Sequence, residues 1–440
     1  MNRLAQAALW IGVYLVLVLA PVFVLLADPS PPSGPFGIEL SVALGFASLG
    51  MMGMQFLLTA RFRHAAAPFG TDILYYFHRY LGYLILAVLA VHAGVFVVED
   101  PAVLAGLDPS SFSRPLALGV AAFLAATILV ASSVAREALG LRYEGWRVLH
   151  AVLAVVAVGG GLLHALDYGT HTSTVWARVF WTAYGVAGVA LLAFVRVVKP
   201  WRARREPWRV AENRDEAGET ATLALEPVGH EGMSYRAGQF AWLTLEDSPF
   251  AMAEHPFSFS SAPGDGPRVE FTIQAVGDFT RRAVDAEEGA VAYLEGPHGI
   301  FTVEDHPAPG YVFVAGGIGI APIMSILRDR ADRGDDRPFL LLYATRTAEG
   351  AVFRDELDRL SRELDLRVVH VVEEPPPDWQ GPEGRIDAEL LARHLPGEPG
   401  ERARRHYFMC GPEAMQGVLE KKLEALGVDS SHVHTEIFHW

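Results

Sequence analysis

The chain has 440 residues, 51% of them apolar and 20% charged, with a net charge of −15. That balance excludes a disordered or collagen-like chain and leaves room for two or three domains. Residues 1–200 carry 11 Lys+Arg against 9 Asp+Glu and the remainder 25 against 42, so a sparsely charged half precedes an acidic one whose sign repels nucleic acid.

Six uncharged apolar stretches follow one another, Leu4–Ala27, Leu40–Ala60, Tyr80–Val98, Pro115–Ala135, Val148–Leu166 and Val179–Val195. Each approaches the roughly 20 residues that a helix needs to cross lipid. The first is too long for a signal peptide and lacks a small-residue cleavage site, so it is expected to remain as a helix. Basic residues gather in alternate connections: Arg61 and Arg63; Arg136, Arg142 and Arg147; and Arg196, Lys199, Arg202, Arg204 and Arg205. The intervening loops hold a single Arg, Arg114, together with Asp167 and His171. The positive-inside rule then predicts a multi-pass cell-membrane protein with both termini and the second half in the cytoplasm.

The helices expected around two of these stretches carry histidines at matched spacing, His78 and His92 on the third helix, His150 and His164 on the fifth. Fourteen residues return a helix to within about 40° of its starting direction over a rise of about 21 Å. Each pair therefore shares a face and places one His in each half of the bilayer. Both helices run outward, which sets His78 level with His150 and His92 level with His164. Facing imidazoles at two levels are the axial ligands that two b-type haems require. A histidine satisfied by a neighbouring hydroxyl or carbonyl is the plainer alternative, and ionisable groups in lipid mark function more often than chance. Gly82, Ala90 and Gly159-Gly160-Gly161 give close approach to a macrocycle or to a neighbouring helix.

Beyond Arg205 the pattern shortens to alternating segments. Thr220–Leu225, Phe240–Leu245 and Val269–Gln274 read as strands of an antiparallel barrel, with polar residues 211–219 as a connecting loop. From Tyr311 the chain reads strand, helix, strand: 311–315, 320–332, 339–344, 351–364 and 367–372, which implies a parallel sheet. The fold class expected is a six-helix haem-binding bundle (1–200), an antiparallel β-barrel domain (201–308), to which the resemblance given below assigns FAD, and an α/β parallel-sheet nucleotide-binding domain (309–440). Gly316, Gly317 and Gly319, with Pro322 in the following helix, let backbone amides approach a pyrophosphate at the helix start. Thr345 and Arg346 end the next strand, where a ribose 2′-phosphate binds, or where Arg346 is simply a surface side chain. Cys410 is the only cysteine, which excludes disulfide frameworks, four-cysteine zinc sites and cysteine-ligated iron–sulfur clusters.

His255-Pro256-Phe257-Ser258 resembles the flavin-binding strand of the ferredoxin–NADP reductase superfamily. Tyr235-Arg-Ala-Gly-Gln239, Gly277-Asp-Phe-Thr280, Gly296-Pro-His-Gly299, the glycine turn and Cys410-Gly411-Pro412 follow in that family's order. Upstream, His78-Arg-Tyr-Leu-Gly82 and Tyr143-Glu-Gly-Trp-Arg-Val-Leu-His150 resemble the ferric reductase-like transmembrane domain. Together these motifs resemble the NADPH oxidase/ferric reductase family over nearly the whole chain. The resemblance implies FAD, NADPH and two haems as cofactors. It places Gln239, His255, Pro256, Phe257, Ser258, Gly277 and Thr280 around the flavin, with Ser258 near its N5. Gly316, Gly317, Gly319, Pro322, Thr345 and Arg346 would hold the nicotinamide nucleotide, with Cys410 and Gly411 beside the nicotinamide ring. Phe438 and Trp440 would supply the aromatic cover of the flavin. Catalytic roles fall to Ser258, Cys410 and Trp440, and metal ligation to the four histidines. The implied activity moves electrons from NADPH to an outer acceptor: oxygen giving superoxide, a chelated metal such as ferric ion, or an extracytoplasmic partner protein, which is not required. Phe96 stands where animal oxidases carry a further polar histidine, so the outer acceptor site is not carried over.

Overall fold

The structure is a computed structural model and describes residues 3–27, 34–62, 69–99, 101, 112–169, 171–246, 248–264 and 266–437. The chain divides into two compact units, Met1–Pro200 and Trp201–Trp440.

The first unit contains α1 (Arg3–Leu26), α2 (Phe36–Thr59), α3 (Thr71–Glu99), α4 (Arg114–Val134), α5 (Tyr143–Tyr168) and α6 (Val175–Ala193). All six are long and apolar enough to cross a membrane. α3 and α5 begin well before the uncharged stretches, because Thr71–Arg79 and Tyr143–Arg147, which carry charged residues, continue the same helices. Pairing is local: α2 packs along α3, and α4 along α5. α5 stops at Gly169, whose φ of 71° is a left-handed conformation that glycine adopts without steric cost. Trp181 of α6 is fully buried against Phe46 and Leu49 of α2, while side chains such as Val175, Val179, Val186 and Val189 point outward. Such an apolar exterior fits a lipid environment, where it carries no exposure penalty. α6 runs through a π-helical turn, Phe194–Val198, to Ala203, and Lys199 Nζ donates to the Ala60 carbonyl at the end of α2.

The second unit holds two sheets. β1 (Trp208–Asp215), β2 (Thr220–Pro227), β3 (Phe240–Thr244), β4 (His255–Ser258), β5 (Val269–Gln274) and β6 (Val291–His298) form an antiparallel sheet in the order β4-β3-β6-β1-β2-β5. A bridge between Phe259 and Phe271 brings its two ends together, so the sheet is barrel-like without a continuous closing ladder. Residues 211–219 were expected to form a loop, yet Glu212–Asp215 pair with Ala221–Ala224 as the end of β1. Their charges are tolerated there because Arg214 and Arg268 pair with Glu212 and Glu270. Leu223, Leu225, Leu243, Phe259 and Phe271 fill the interior.

The other sheet is parallel, in the order β11-β10-β7-β8-β9, from β7 (Tyr311–Gly316), β8 (Phe339–Thr345), β9 (Leu366–Val372), β10 (His406–Cys410) and β11 (Val433–Glu436). A short helix, α7 (Asp278–Val284), precedes it. α8 (Ile320–Asp332) and α9 (Arg354–Glu363) cover one face through Ile323, Leu327, Leu357 and Leu360. α10 (Ala388–His394) and α11 (Glu413–Ala425) cover the other through Leu390, Leu391, Leu419 and Leu423. Both faces being buried explains why β7 and β8 read as continuous apolar runs.

Candidate functional site

In the membrane unit the four histidines meet in two pairs. The ring centroids of His78 and His150 lie 6.1 Å apart, and those of His92 and His164 lie 6.4 Å apart. Two metal–imidazole bonds of about 2 Å each, plus half a ring on either side, span roughly 6 Å. Both pairs are therefore spaced to hold one metal centre between them.

Ring orientation is set by contacts from neighbouring helices. His92 Nδ1 lies 2.7 Å from the Ser41 carbonyl, and His164 Nδ1 lies 2.7 Å from the Pro115 carbonyl. A carbonyl only accepts, so each Nδ1 carries the proton and each Nε2 presents a lone pair, the tautomer a metal needs. His150 Nδ1 is 3.3 Å from Ser133 Oγ, whose own proton goes to the Leu129 carbonyl. His78 Nδ1 is buried and has no hydrogen-bond partner among the described residues.

Two glycines make the His92–His164 pair possible. A Cβ at Gly45 would stand 3.1 Å from the His92 ring, and one at Gly119 would stand 2.7 Å from the His164 ring. Each glycine lies four residues after the carbonyl that its histidine bonds, so one helical turn supplies both the acceptor and the room. Sequence reasoning missed Ser41, Gly45, Pro115 and Gly119, since the only signal is a Gly one turn after the acceptor. Of the glycines it did single out, Gly160 packs against Leu118 and Ala122 of α4, and Gly82 approaches Gln55. Near the same pair, Phe96 lies 5.6 Å from His92 and Tyr168 lies 5.2 Å from His164, centroid to centroid. At the same ends of the helices His171 pairs with Glu39 at 3.2 Å, and Arg114 with Asp167 at 3.1 Å.

The second unit presents a polar and aromatic strand end. Ser258 is buried on β4, and its hydroxyl has no hydrogen-bond partner among the described residues. The His255 and Phe257 rings stack on Phe279 at 4.1 and 5.8 Å, and Pro256, between them in sequence, is buried. A buried hydroxyl without a partner on the same short strand as stacked rings fits a flavin, which offers acceptor nitrogens and a flat face. Gln239 spends its side chain on the chain itself: Oε1 accepts from Arg236 N at 2.9 Å, and Nε2 donates to the Gly299 carbonyl at 3.1 Å. Thr280 Oγ1 accepts from Val276 N and Gly277 N, so it caps the start of α7.

In the parallel sheet the chain leaves β7 for β8 and β9, then returns to the other side of β7 with β10 and β11. The switch point thus lies between β7 and β10, where open α/β sheets bind ligands. Gly316, Gly317 and Gly319 leave β7 there, and Cys410 and Gly411 leave β10. A Cβ on Gly319 would strike the Cys410 carbonyl at 2.2 Å, and one on Gly411 would meet Gly316 Cα at 3.0 Å. Only glycine lets these turns touch. Pro322 lies buried in the first turn of α8. Cys410 is fully buried; burial, then the Glu436 carboxylate, push its thiol up, so it stays a neutral thiol. Thr345 Oγ1 donates to the Thr347 carbonyl, while Arg346 is exposed and paired with Glu374 at 3.0 Å. Phe438 and Trp440 lie outside the described residues.

Residues 44–161 match the family described as ferric reductase like transmembrane component, and residues 313–421 match the oxidoreductase NAD-binding domain family. The first match spans His78, His92 and His150, and the second spans both glycine turns. The chain is 33% identical to ferredoxin–NADP reductase B of Sorangium cellulosum over 221 residues, which is 49% of this chain and 89% of that protein. It is 28% identical to the flavohemoprotein of Deinococcus radiodurans over 54% of this chain and 60% of that protein. Among solved structures it is similar to the flavohem-like FAD/NAD-binding domain of nitric oxide dioxygenase from Vibrio cholerae. That match has a TM-score of 0.47 and 22% identity, over 53% of this chain and 98% of the other.

Proposed function

The chain belongs to the fused ferric reductase/NADPH oxidase family of membrane oxidoreductases, and on that premise we propose that it carries electrons from cytoplasmic NADPH to oxygen outside the cell, forming superoxide. The observation that carries the reading is the two levels of paired imidazoles, His78 with His150 and His92 with His164, on helices joined in one chain to a nucleotide fold. When bound, FAD would supply the exchange of a hydride for single electrons, and two b-type haems would supply one-electron carriers within the hydrocarbon.

The side chains have separable tasks. His78 and His150 would hold the inner haem, His92 and His164 the outer one, each presenting Nε2 while its Nδ1 is directed elsewhere or buried. The Ser41 and Pro115 carbonyls raise the basicity of the outer pair and fix its rings. Ser258 would direct its hydroxyl at flavin N5, with His255, Pro256 and Phe257 along the same strand and Gln239, Gly277 and Thr280 shaping the turns around it. Gly316, Gly317, Gly319 and Pro322 would seat the dinucleotide, Thr345 and Arg346 would meet its 2′-phosphate, and Cys410 and Gly411 would border the nicotinamide. Phe438 and Trp440 would cover the flavin. Arg61, Arg136, Arg142, Arg147, Arg196 and Lys199 mark the cytoplasmic end. NADPH leaves as NADP with release of one proton and two electrons, so two oxygen molecules become two superoxide ions.

A second reading, reduction of a chelated ferric ion, is favoured by the charged outer end, where Glu39, Asp167, Arg114 and His171 could seat a polar chelate. Dismutase-sensitive cytochrome c reduction by the purified, FAD- and haem-loaded protein with NADPH separates the two. The proposal predicts a fast dismutase-sensitive rate. A negligible rate alongside rapid reduction of a ferric chelate establishes the second reading instead.

A further inference from the structure

Four histidines of the second unit gather away from the flavin and nucleotide residues. His406 opens β10, and on β11 His434 stands opposite Phe408. Alternate residues of a strand face one side, so His406, Phe408 and His434 share a face of the sheet. His306, just after the short turn Val303–Asp305, lies over that face, its ring centroid 3.6 Å from His434 and 5.3 Å from His406. His406 Nδ1 and His434 Nε2 stand 2.8 Å apart, and one ring nitrogen from each of the three histidines lies within 4.8 Å of the others. The His432 ring packs on His406 at 4.3 Å, with its Nδ1 buried and without a hydrogen-bond partner among the described residues.

We propose that His306, His406 and His434 bind one transition-metal dication of the zinc class, clamping the edge strand β11 to β10 and to the turn at Val303–Asp305. The donor set decides the metal. Three neutral imidazoles without a carboxylate or thiolate suit zinc, nickel or copper(II), whereas calcium and magnesium demand oxygen ligands. Tetrahedral bonds of about 2 Å set ligand nitrogens roughly 3.3 Å apart, a spacing that these partly exposed rings reach by small side-chain rotations. Three protein ligands leave the fourth position to water.

The site joins segments a hundred residues apart in sequence, and β11 has most to gain from it. That strand has four residues and one neighbour, yet it carries Glu436 opposite Cys410, and the Glu436 carbonyl accepts from Gln416 Nε2 at 2.9 Å. A bound ion therefore orders the strand that borders the β10 turn. This inference stands apart from the membrane histidines and holds whichever electron acceptor is used.

Zinc titration of the full-length, FAD- and haem-loaded, chelator-treated protein tests it, with zinc content and hydrogen exchange as readouts. The wild type is expected to take up one zinc per chain and to slow exchange in segments 303–306 and 430–437 together. His306→Gln and His434→Gln are each expected to weaken binding at least tenfold, and His306→Gln to abolish the slowing at 430–437. Flavin content reports folding, and His306, on a turn outside the sheet, keeps the test informative if His434→Gln disrupts β11. Zinc uptake that neither variant lowers, no uptake at micromolar zinc, or bound zinc that leaves both segments unchanged overturns the proposal.

Discussion

The absence of a side chain at residue 119 governs the outer histidine pair. Gly119 gives the His164 ring its place beside the Pro115 carbonyl, and a methyl group there would overlap Nδ1 at 2.7 Å. Gly119→Ala is expected to lower outer-haem occupancy severalfold, measured by haem content, whereas Gly188→Ala, which meets nothing within 4 Å, leaves it unchanged. Equal haem content in the two variants would remove the role assigned to Gly119. The four histidines were legible in the sequence because a 14-residue spacing is a property of one helix. The glycines were not, because they act across helices and the sequence does not say which helix lies opposite. Arg346 extends the same lesson. Its exposed pair with Glu374 contributes at most about 1 kcal/mol, so a 2′-phosphate displaces the carboxylate readily. Arg346→Ala should raise KM for NADPH about tenfold or more and leave that for NADH nearly unchanged. Glu374→Gln, by removing a repelling charge, should lower KM for NADPH. Steady-state kinetics with both nucleotides decides, and equal effects on both contradict the phosphate contact.

Among the elements, α8 links the antiparallel and parallel sheets. Arg328 donates to Glu356 of α9 through Nε and Nη2, and through Nη1 to Glu270 of β5 and the Ser260 carbonyl. Ser325, one turn earlier, donates to the Ser261 carbonyl at 2.7 Å. Burial works against charging Glu356, and the Arg328 hydrogen bonds and charge more than offset it, holding the carboxyl below its ordinary value. A lowered carboxyl adds stability above its ordinary value near 4.5, and that stability is lost as pH falls through the folded value. Acid should therefore loosen this junction below about pH 4.5, seen as flavin release, and Glu356→Gln should flatten that pH dependence. Arg328→Met removes the arginine shared by Glu356 and Glu270, which keep Arg359 and Arg214 as partners, and should cost about 2 kcal/mol in denaturant unfolding of the second unit. A loss under 1 kcal/mol would mean that solvent already screens the pairs. The sequence revealed the elements with clear periodicity, including α8 over its full length, Ile320–Asp332. It hid β1, because Glu212–Asp215 look like a loop until Arg268 and Arg214 stand beside them. It also hid β10 and β11, which are short and separated from β9 by residues 373–405, where the only regular elements are short helices.

At the scale of the molecule, charge partition already separated a sparsely charged, apolar half from an acidic one, and the two compact units divide at Pro200. Family membership was legible because its motifs are local and ordered along the chain. The electron acceptor was not, since no motif along the chain specifies it. The two histidine levels remain the centre of the account, and counting haem tests them most directly. Wild-type protein should hold two haems per chain. His92→Ala should hold one, while NADPH still reduces its flavin under anaerobic conditions. Two haems retained in His92→Ala, with unchanged spectra, would contradict the assignment of the outer pair.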